Sequence, residues 1–177
     1  MVIMSHKNIV FFLCAMGLVV PEASAFAASE TCDAASYKVP PELAGWAHPV
    51  EGKAAGVQKT SSAFSLTLGQ AAQVPLLPAS ERQFVLQSGA LKHHFDFAGM
   101  VRFHISKKET YRVMLGGKAW IDVVSDGKSL DSVAHQHGPA CSGIVKMVDF
   151  ILEPGDYVLQ LSGNAQQNVK VMIVSAS

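Results

Sequence analysis

The sequence is poor in charge, in aromatic residues and in cysteine. Charged residues make up 16% of the 177 positions, and Lys plus Arg balance Asp plus Glu at 14 each. Because there is no basic excess to neutralise phosphates, we expect no nucleic-acid partner. The composition is 49% hydrophobic, which excludes an intrinsically disordered chain and predicts a sizeable core. The length suits about one domain and leaves no room for separate cofactor domains.

Long apolar runs are missing, apart from one near the N-terminus. Residues 9–20 form this uncharged run, Lys7 precedes it, and the small residues 23–25 (Ala-Ser-Ala) follow it. This order is typical of a secretory signal peptide, which we predict over residues 1–25, with cleavage after Ala27 or Ala28 as the alternatives. The mature protein is then periplasmic or secreted. The run is shorter than the roughly 20 residues of a membrane span, so we expect no stable membrane anchor after cleavage.

Cysteine is rare, and its placement suggests a covalent link. Of the three cysteines, Cys14 leaves with the predicted signal peptide, so Cys32 and Cys141 remain. Two cysteines in an exported chain favour one disulfide. We therefore predict that a bond between them pins the N-terminal segment to the domain.

Two patterns divide the rest of the chain. Residues 26–62 are rich in Pro and Gly without a periodic apolar stripe, so we predict an irregular segment that Trp46 anchors onto the core. From residue 63 onward, apolar and polar residues alternate, which is typical of half-buried antiparallel strands. The clearest alternating runs are residues 64–68, 101–105 and 111–115.

Turn residues separate the alternating runs. Gly116-Gly117 predicts a hairpin between the strands on either side, and Asp126-Gly127 predicts a type I′ turn. We count about eight strands and no long amphipathic helix. The predicted fold is all-β, a single antiparallel β-sandwich or jelly roll over residues 63–177.

Two sequence blocks in the last third of the chain carry a family resemblance. YRVMLGGKAWIDVVSDGKSL ends a strand pair in a polar turn, and VDFILEPGDYVLQLSG joins an apolar strand to a Tyr-led strand through Pro-Gly. Residues 99–174 thus resemble the bacterial pre-peptidase C-terminal type of β-sandwich. The resemblance implies an accessory module, in some members with bound calcium or carbohydrate. The Asp-rich cluster that a calcium site requires is missing from this sequence.

A second resemblance rests on PELAGW, AWIDVVSDGKSL and HQHGPACSGIVKMVDFILEPGDYVLQLSG. These blocks look like those of a group of short exported bacterial proteins, some of which carry the name homogentisate 1,2-dioxygenase. The name implies a small metal-dependent dioxygenase with an iron site of two His and a carboxylate. Since no carboxylate stands at motif spacing from the histidines, this activity is kept only as an alternative.

One loop concentrates reactive side chains. His135 and His137 are spaced H-x-H, and Cys141 follows. In an extended segment the two imidazoles share a face and can reach one Cu, Zn or Fe ion. Further ligands would come from a scattered set: His48, His93, His94, His104, Asp122 and Asp131. A plain structural loop, with Cys141 in a disulfide, is the default interpretation.

We predict structural roles for the remaining large and charged side chains. We predict that Trp120, Met147 and Phe150 fill the core. Lys146 and Asp149 are placed on strand faces, one of them in solvent. Ser142 lies outside a G-x-S-x-G nucleophile motif, and no catalytic residue is identified.

These observations favour a non-enzymatic exported protein that binds an unknown protein or small ligand and has no assured cofactor. The alternatives are a Cu- or Zn-binding protein that uses His135 and His137, or the small dioxygenase that the second resemblance implies.

Overall fold

The computed structural model describes Cys32 and residues 40–54, 63–78 and 97–176. The predicted signal peptide lies outside the described residues, as do the candidate ligands His93 and His94. Two sheets make up the described part, which confirms the predicted all-β sandwich. No helix in these ranges is long and apolar enough to cross a bilayer.

The described ranges contain twelve strands. They are β1 Val50–Glu51, β2 Ser65–Leu66, β3 Ala72–Pro75, β4 Leu77–Pro78, β5 Phe97–Ile105, β6 Glu109–Leu115, β7 Trp120–Ser125, β8 Lys128–Ser129, β9 Ala134–Gln136, β10 Lys146–Leu152, β11 Gly155–Asn164 and β12 Asn168–Ser175. The number exceeds the predicted eight or so because strands of two or three residues are too short to show alternation.

The strands form two sheets. The first sheet has the order β1-β3-β12-β6-β10-β9, and the second has β2-β5-β11-β7-β8 with β4 beside β5. Most pairs are antiparallel, as predicted, but β1 pairs β3 and β2 pairs β5 in parallel. Both exceptions involve two-residue strands, which add short edges to otherwise antiparallel sheets.

The connection at Gly116-Gly117 is not the predicted hairpin. It carries the chain from β6 in the first sheet to β7 in the second. The crossing is tight, because a Cβ added at Gly117 would lie 2.5 Å from Asn164 Oδ1. By contrast, Asp126 and Gly127 have φ of 50° and 73°, which confirms the type I′ turn between β7 and β8.

The main core lies between the sheets. Alternate residues of the long strands point inward, as Val101, Phe103 and Ile105 do from β5. The rings of Phe103 and Tyr157 stack with centroids 5.3 Å apart. Burial of each such side chain contributes about 1.5–3 kcal/mol before the entropy cost of ordering is subtracted.

A second cluster covers the outer face of the first sheet. The N-terminal segment includes a 3-10 helix, Pro41–Trp46, whose Trp46 is 3% exposed. Trp46 packs with three buried methionines of this face, Met114, Met147 and Met172. Trp46 therefore anchors the segment, as predicted, but on the outer face and not between the sheets.

Candidate functional site

A cavity in the described part of the chain opens at one edge of the sandwich. It lies between β7 of the second sheet and β10 of the first, and the connection 129–135 closes one side. The short strand β8 pairs only with Val124 and Ser125. No described strand therefore lies against this side of residues 120–122. The resulting space has a volume of about 370 Å³.

The floor of the cavity is apolar and belongs to the core. Ile121, Val148 and Phe150 line it, and each is less than 9% exposed. Ile121 comes from β7, whereas the other two come from β10. The floor of the cavity is thus formed by residues of the core between the sheets.

Trp120 stands at the rim of this cavity and is 50% exposed. The prediction that it fills the core is wrong. Ile121 and Val123 point into the core, so strand alternation turns Trp120 and Asp122 to the other face. The Trp120 Nε1 donates to Asp122 Oδ1 at 3.2 Å, which holds the indole in place. The sequence could have predicted this exposure, because Trp120 alternates with the apolar residues Ile121 and Val123.

Asp122 connects three strands of the second sheet. It is 6% exposed, and its carboxylate accepts from Trp120 Nε1 at 3.2 Å, Ser129 Oγ at 3.3 Å and Gln160 Nε2 at 3.3 Å. These donors come from β7, β8 and β11. A buried carboxylate is tolerated when it is hydrogen-bonded in this way. Asp122 thus fixes the polar wall of the cavity.

Lys146 supplies the cation of the site. It is half-buried at the start of β10, and its Nζ donates to the Ala119 carbonyl oxygen at 3.2 Å. The same Nζ lies 5.3 Å from the centroid of the Trp120 ring, within reach of a cation–π contact. Burial lowers the pKa of the Lys146 ammonium, and the charge of Asp122 opposes this shift in part.

Lys146 and Asp149 both lie on strand faces, as predicted; Lys146 is half-buried beside the open cavity, whereas Asp149 is buried. Asp149 is 7% exposed and lies directly opposite Arg112 of β6. The guanidinium donates to both carboxylate oxygens at 2.7 Å. The two charges on β10 therefore have different surroundings: Asp149 has a bidentate partner, whereas Lys146 faces the cavity.

The two histidines of the H-x-H motif have different positions. His135 lies opposite Val148 in the β9–β10 register, so its side chain faces the cavity, which it lines. His137 follows β9, is exposed, and has its Nδ1 3.2 Å from the Val145 carbonyl oxygen. The structure therefore places one of the two imidazoles in the candidate site.

The suggested additional metal ligands are only partly brought together. Asp122 and Asp131 line the same cavity as His135. His104 lies elsewhere, with its Nδ1 2.9 Å from Asp156 Oδ1, and His48 is exposed outside the cavity. Across the part of the chain that the structure covers, no three His, Cys, Asp or Glu side chains form a metal-binding group. Metal binding through the H-x-H motif stays a prediction.

Cys141 is bonded to Cys32, as predicted, with Cα atoms 5.2 Å apart. It is therefore not a thiolate ligand. The next residue, Ser142, accepts a hydrogen bond from Trp46 Nε1 at 3.0 Å through its carbonyl oxygen. The N-terminal segment is thus held to the same loop by a covalent bond and by Trp46.

A smaller described cavity, of about 240 Å³, lies at the connections around Gly116-Gly117 and Asn164. Its lining consists mainly of glycine and amide residues. It lacks the aromatic side chain and the apolar floor of the edge cavity. We therefore take the cavity between β7 and β10, called the edge cavity below, as the candidate site.

Comparison of the chain with models of known protein families and with curated protein sequences finds no match in either case. The two family resemblances of the sequence stay predictions. The candidate function accordingly rests on the geometry of the edge cavity.

Proposed function

We propose that the protein is an exported, non-enzymatic binding protein and that the edge cavity holds its ligand. The observation that carries this proposal is Trp120, a large aromatic side chain that is 50% exposed at the rim of a 370 Å³ cavity. Small-molecule sites are typically concave and largely apolar, with a few placed polar groups. The edge cavity has each of these features.

The position of Trp120 supports binding because the ring is fixed before a ligand arrives. Its Nε1 is hydrogen-bonded to Asp122, and the Lys146 ammonium lies against the ring. A preorganised aromatic surface loses little conformational entropy on binding. The exposed half of the indole offers apolar area that a ligand would remove from water, at about 25 cal/mol per Å².

The nucleophiles that the sequence offered are engaged in structural contacts, which favours binding over catalysis. Cys141 is in the disulfide. The Ser142 hydroxyl donates to the Pro139 carbonyl oxygen at 2.6 Å and accepts from the Ile144 N–H at 3.0 Å. A serine bonded in this way forms part of a turn and is not held against a general base.

The proposal of export is supported by two independent features. Residues 1–25 have the order of a signal peptide. The Cys32–Cys141 disulfide is a bond that persists in oxidising compartments and is rare in the cytosol. We accordingly place the binding function in the periplasm or outside the cell.

The intrinsic fluorescence of the protein tests the proposed site. The chain has two tryptophans, Trp46 and Trp120, of which only Trp120 is exposed. A set of neutral, anionic and cationic fragments that do not absorb at the excitation wavelength is titrated into the mature protein. We expect at least one fragment class to shift the emission of Trp120 to shorter wavelength, because the ligand displaces water from the ring.

The matched control is Trp120→Phe, which retains Trp46 as the sole tryptophan. In this variant the emission change is expected to disappear. A change of equal size in the variant, or no change with any fragment, would contradict the edge cavity as the binding site.

A further inference from the structure

We propose that the ligand of the edge cavity is a small organic anion, a carboxylate on an apolar body, whose charge is bound by Lys146. This inference rests on the proposed function and adds the chemical class of the ligand. It is carried by the position of the Lys146 ammonium between Ala119, Trp120 and the open cavity.

The half-buried Lys146 has no close counter-ion among the described residues. Among the described residues no carboxylate oxygen lies within 4.0 Å of its Nζ, whereas Arg112 and Lys108 each have a carboxylate partner. An ammonium has three N–H donors, and one of them donates to the Ala119 carbonyl oxygen at 3.2 Å. The half-buried ammonium of Lys146 is stabilised when an anion enters the cavity and pairs with it.

The acidic side chains of the cavity do not take this role. Asp122 is directed to donors on β7, β8 and β11 and influences Lys146 only from a distance. Asp131 is exposed to solvent at the rim. Neither forms an ion pair with Lys146 within 4.0 Å.

A comparison with Lys170 shows why the cavity matters. Lys170 also donates to a backbone carbonyl oxygen, that of Trp46 at 3.2 Å, and its Nζ lies 4.6 Å from the Trp46 ring centroid. However, Trp46 is buried and 3% exposed. Lys146 has the same two kinds of contact, but its tryptophan is half in solvent and borders a space for a ligand.

The remaining residues of the cavity determine the size and the apolar character of the group that carries the carboxylate. The floor of the cavity is formed by Ile121, Val148 and Phe150, and Trp120 forms the rim. The volume of about 370 Å³ is near the lower end of the roughly 300–1,000 Å³ of small-molecule sites. A compact apolar or aromatic group fits the floor while its carboxylate remains at the level of Lys146.

Isothermal titration calorimetry with phenylacetate and phenylacetamide tests the charge preference. The two probes have nearly the same shape and differ in charge. We expect the wild-type protein to bind phenylacetate at least about tenfold more tightly, because only the carboxylate forms a charge-assisted hydrogen bond with the Lys146 ammonium. Lys146→Met and Lys146→Gln are each expected to reduce this ratio to about twofold or less.

Lys118→Met is the matched control. It removes the same charge from an exposed position one residue before Ala119, so it reports any effect of net charge alone, and the tenfold preference should remain. Equal binding of the two probes by the wild-type protein would overturn the proposal, as would a preference that survives both Lys146 variants.

The two proposals fail in distinguishable ways. If only neutral or cationic fragments change the Trp120 emission, the edge cavity remains the binding site and the anionic ligand class is wrong. If no fragment changes that emission and phenylacetate releases no heat, both proposals are wrong.

Discussion

At the scale of single residues, the ion pair between Arg112 and Asp149 is the most sheltered charge contact of the described part. The side chains are 27% and 11% exposed, and their two hydrogen bonds are both 2.7 Å long. The bond to Asp149 raises the pKa of the Arg112 guanidinium, against the opposing effect of burial. A bidentate pair of this kind fixes the register of β6 against β10.

We expect Arg112→Met to lower the free energy of unfolding by roughly 3 kcal/mol, because it leaves the Asp149 carboxylate buried without a partner. Urea denaturation measures this loss. The double variant Arg112→Met/Asp149→Leu should regain most of it, since no unpaired charge remains. The control Lys108→Met removes the solvent-exposed Lys108–Glu153 pair and should cause no measurable change. A single and a double variant of equal stability would contradict this account.

Two tyrosines make similar contacts at the start of strands. The Tyr111 hydroxyl donates to the Lys107 carbonyl oxygen at 3.1 Å, and the Tyr157 hydroxyl donates to that of Glu153 at 2.8 Å. Burial raises the pKa of both phenols. Each folded-state pKa thus exceeds the unfolded value near 10. Their contribution to stability is complete below about pH 10 and is lost as the pH rises through the folded-state values.

Absorbance at 295 nm should accordingly show that both phenols ionise above the ordinary range in the folded protein. Tyr111→Phe and Tyr157→Phe should each remove one late-ionising phenol. Above about pH 10, the free energy of unfolding should fall less steeply in each of these variants than in the wild type. Titration of both tyrosines near their ordinary pKa would contradict the burial described here.

At the scale of elements, the sequence predicted most of the long strands but only part of the candidate site. Alternation predicted β5 and β6, and turn residues marked β7, β10 and β11; each of these strands buries one face in the core. Neither pattern predicted that Gly116-Gly117 crosses between sheets. The alternation of apolar and polar residues indicates which face of a strand is buried, but it does not indicate which strands pair with it in the sheet.

The same limit explains the outcome at the site. His135 was identified from the H-x-H motif and does line the edge cavity. Trp120 and Lys146 were assigned to the core and to a strand face, although both border the cavity. Their roles depend on β8 and β9 being short, which leaves the sheet edges open, and such short strands carry no readable pattern.

The disulfide is the element-scale link with the largest expected effect on stability. Cys32 and Cys141 are separated by 109 positions, and a loop of that length corresponds to about 4 kcal/mol of lost unfolded-state entropy. Cys32→Ser/Cys141→Ser should therefore lower the free energy of unfolding by about that amount in urea. The reduced wild-type protein is the control and should show the same loss. An unchanged urea midpoint in the double variant would contradict the predicted role.

At the scale of the whole molecule, two hydrophobic clusters stabilise the sandwich, one on each face of the first sheet. The core between the sheets holds the long strands together, and the Trp46 cluster covers the outer face. The edge cavity is left where the second sheet ends at β7 and β8. Rigid strands on both sides keep Trp120 and Lys146 in fixed positions.

Export is the whole-molecule property that a mass measurement tests. If residues 1–25 are removed, protein from the exported fraction begins at Phe26. Its intact mass should equal that of residues 26–177 less two hydrogens for the disulfide, and reduction should restore those two hydrogens. A protein that retains Met1, or that gains no mass on reduction, would contradict the proposed processing.

The central claim, that the edge cavity is the binding site, is tested most directly by mapping backbone amide shifts in the ¹⁵N-labelled mature protein during titration with the fragment set. The account predicts that the shifted amides cluster in β7, in the connection 129–135 and in β10, and that Trp120→Ala abolishes the cluster. Shifts centred on the smaller cavity at Gly116-Gly117 and Asn164, or shifts that persist in the variant, would contradict it.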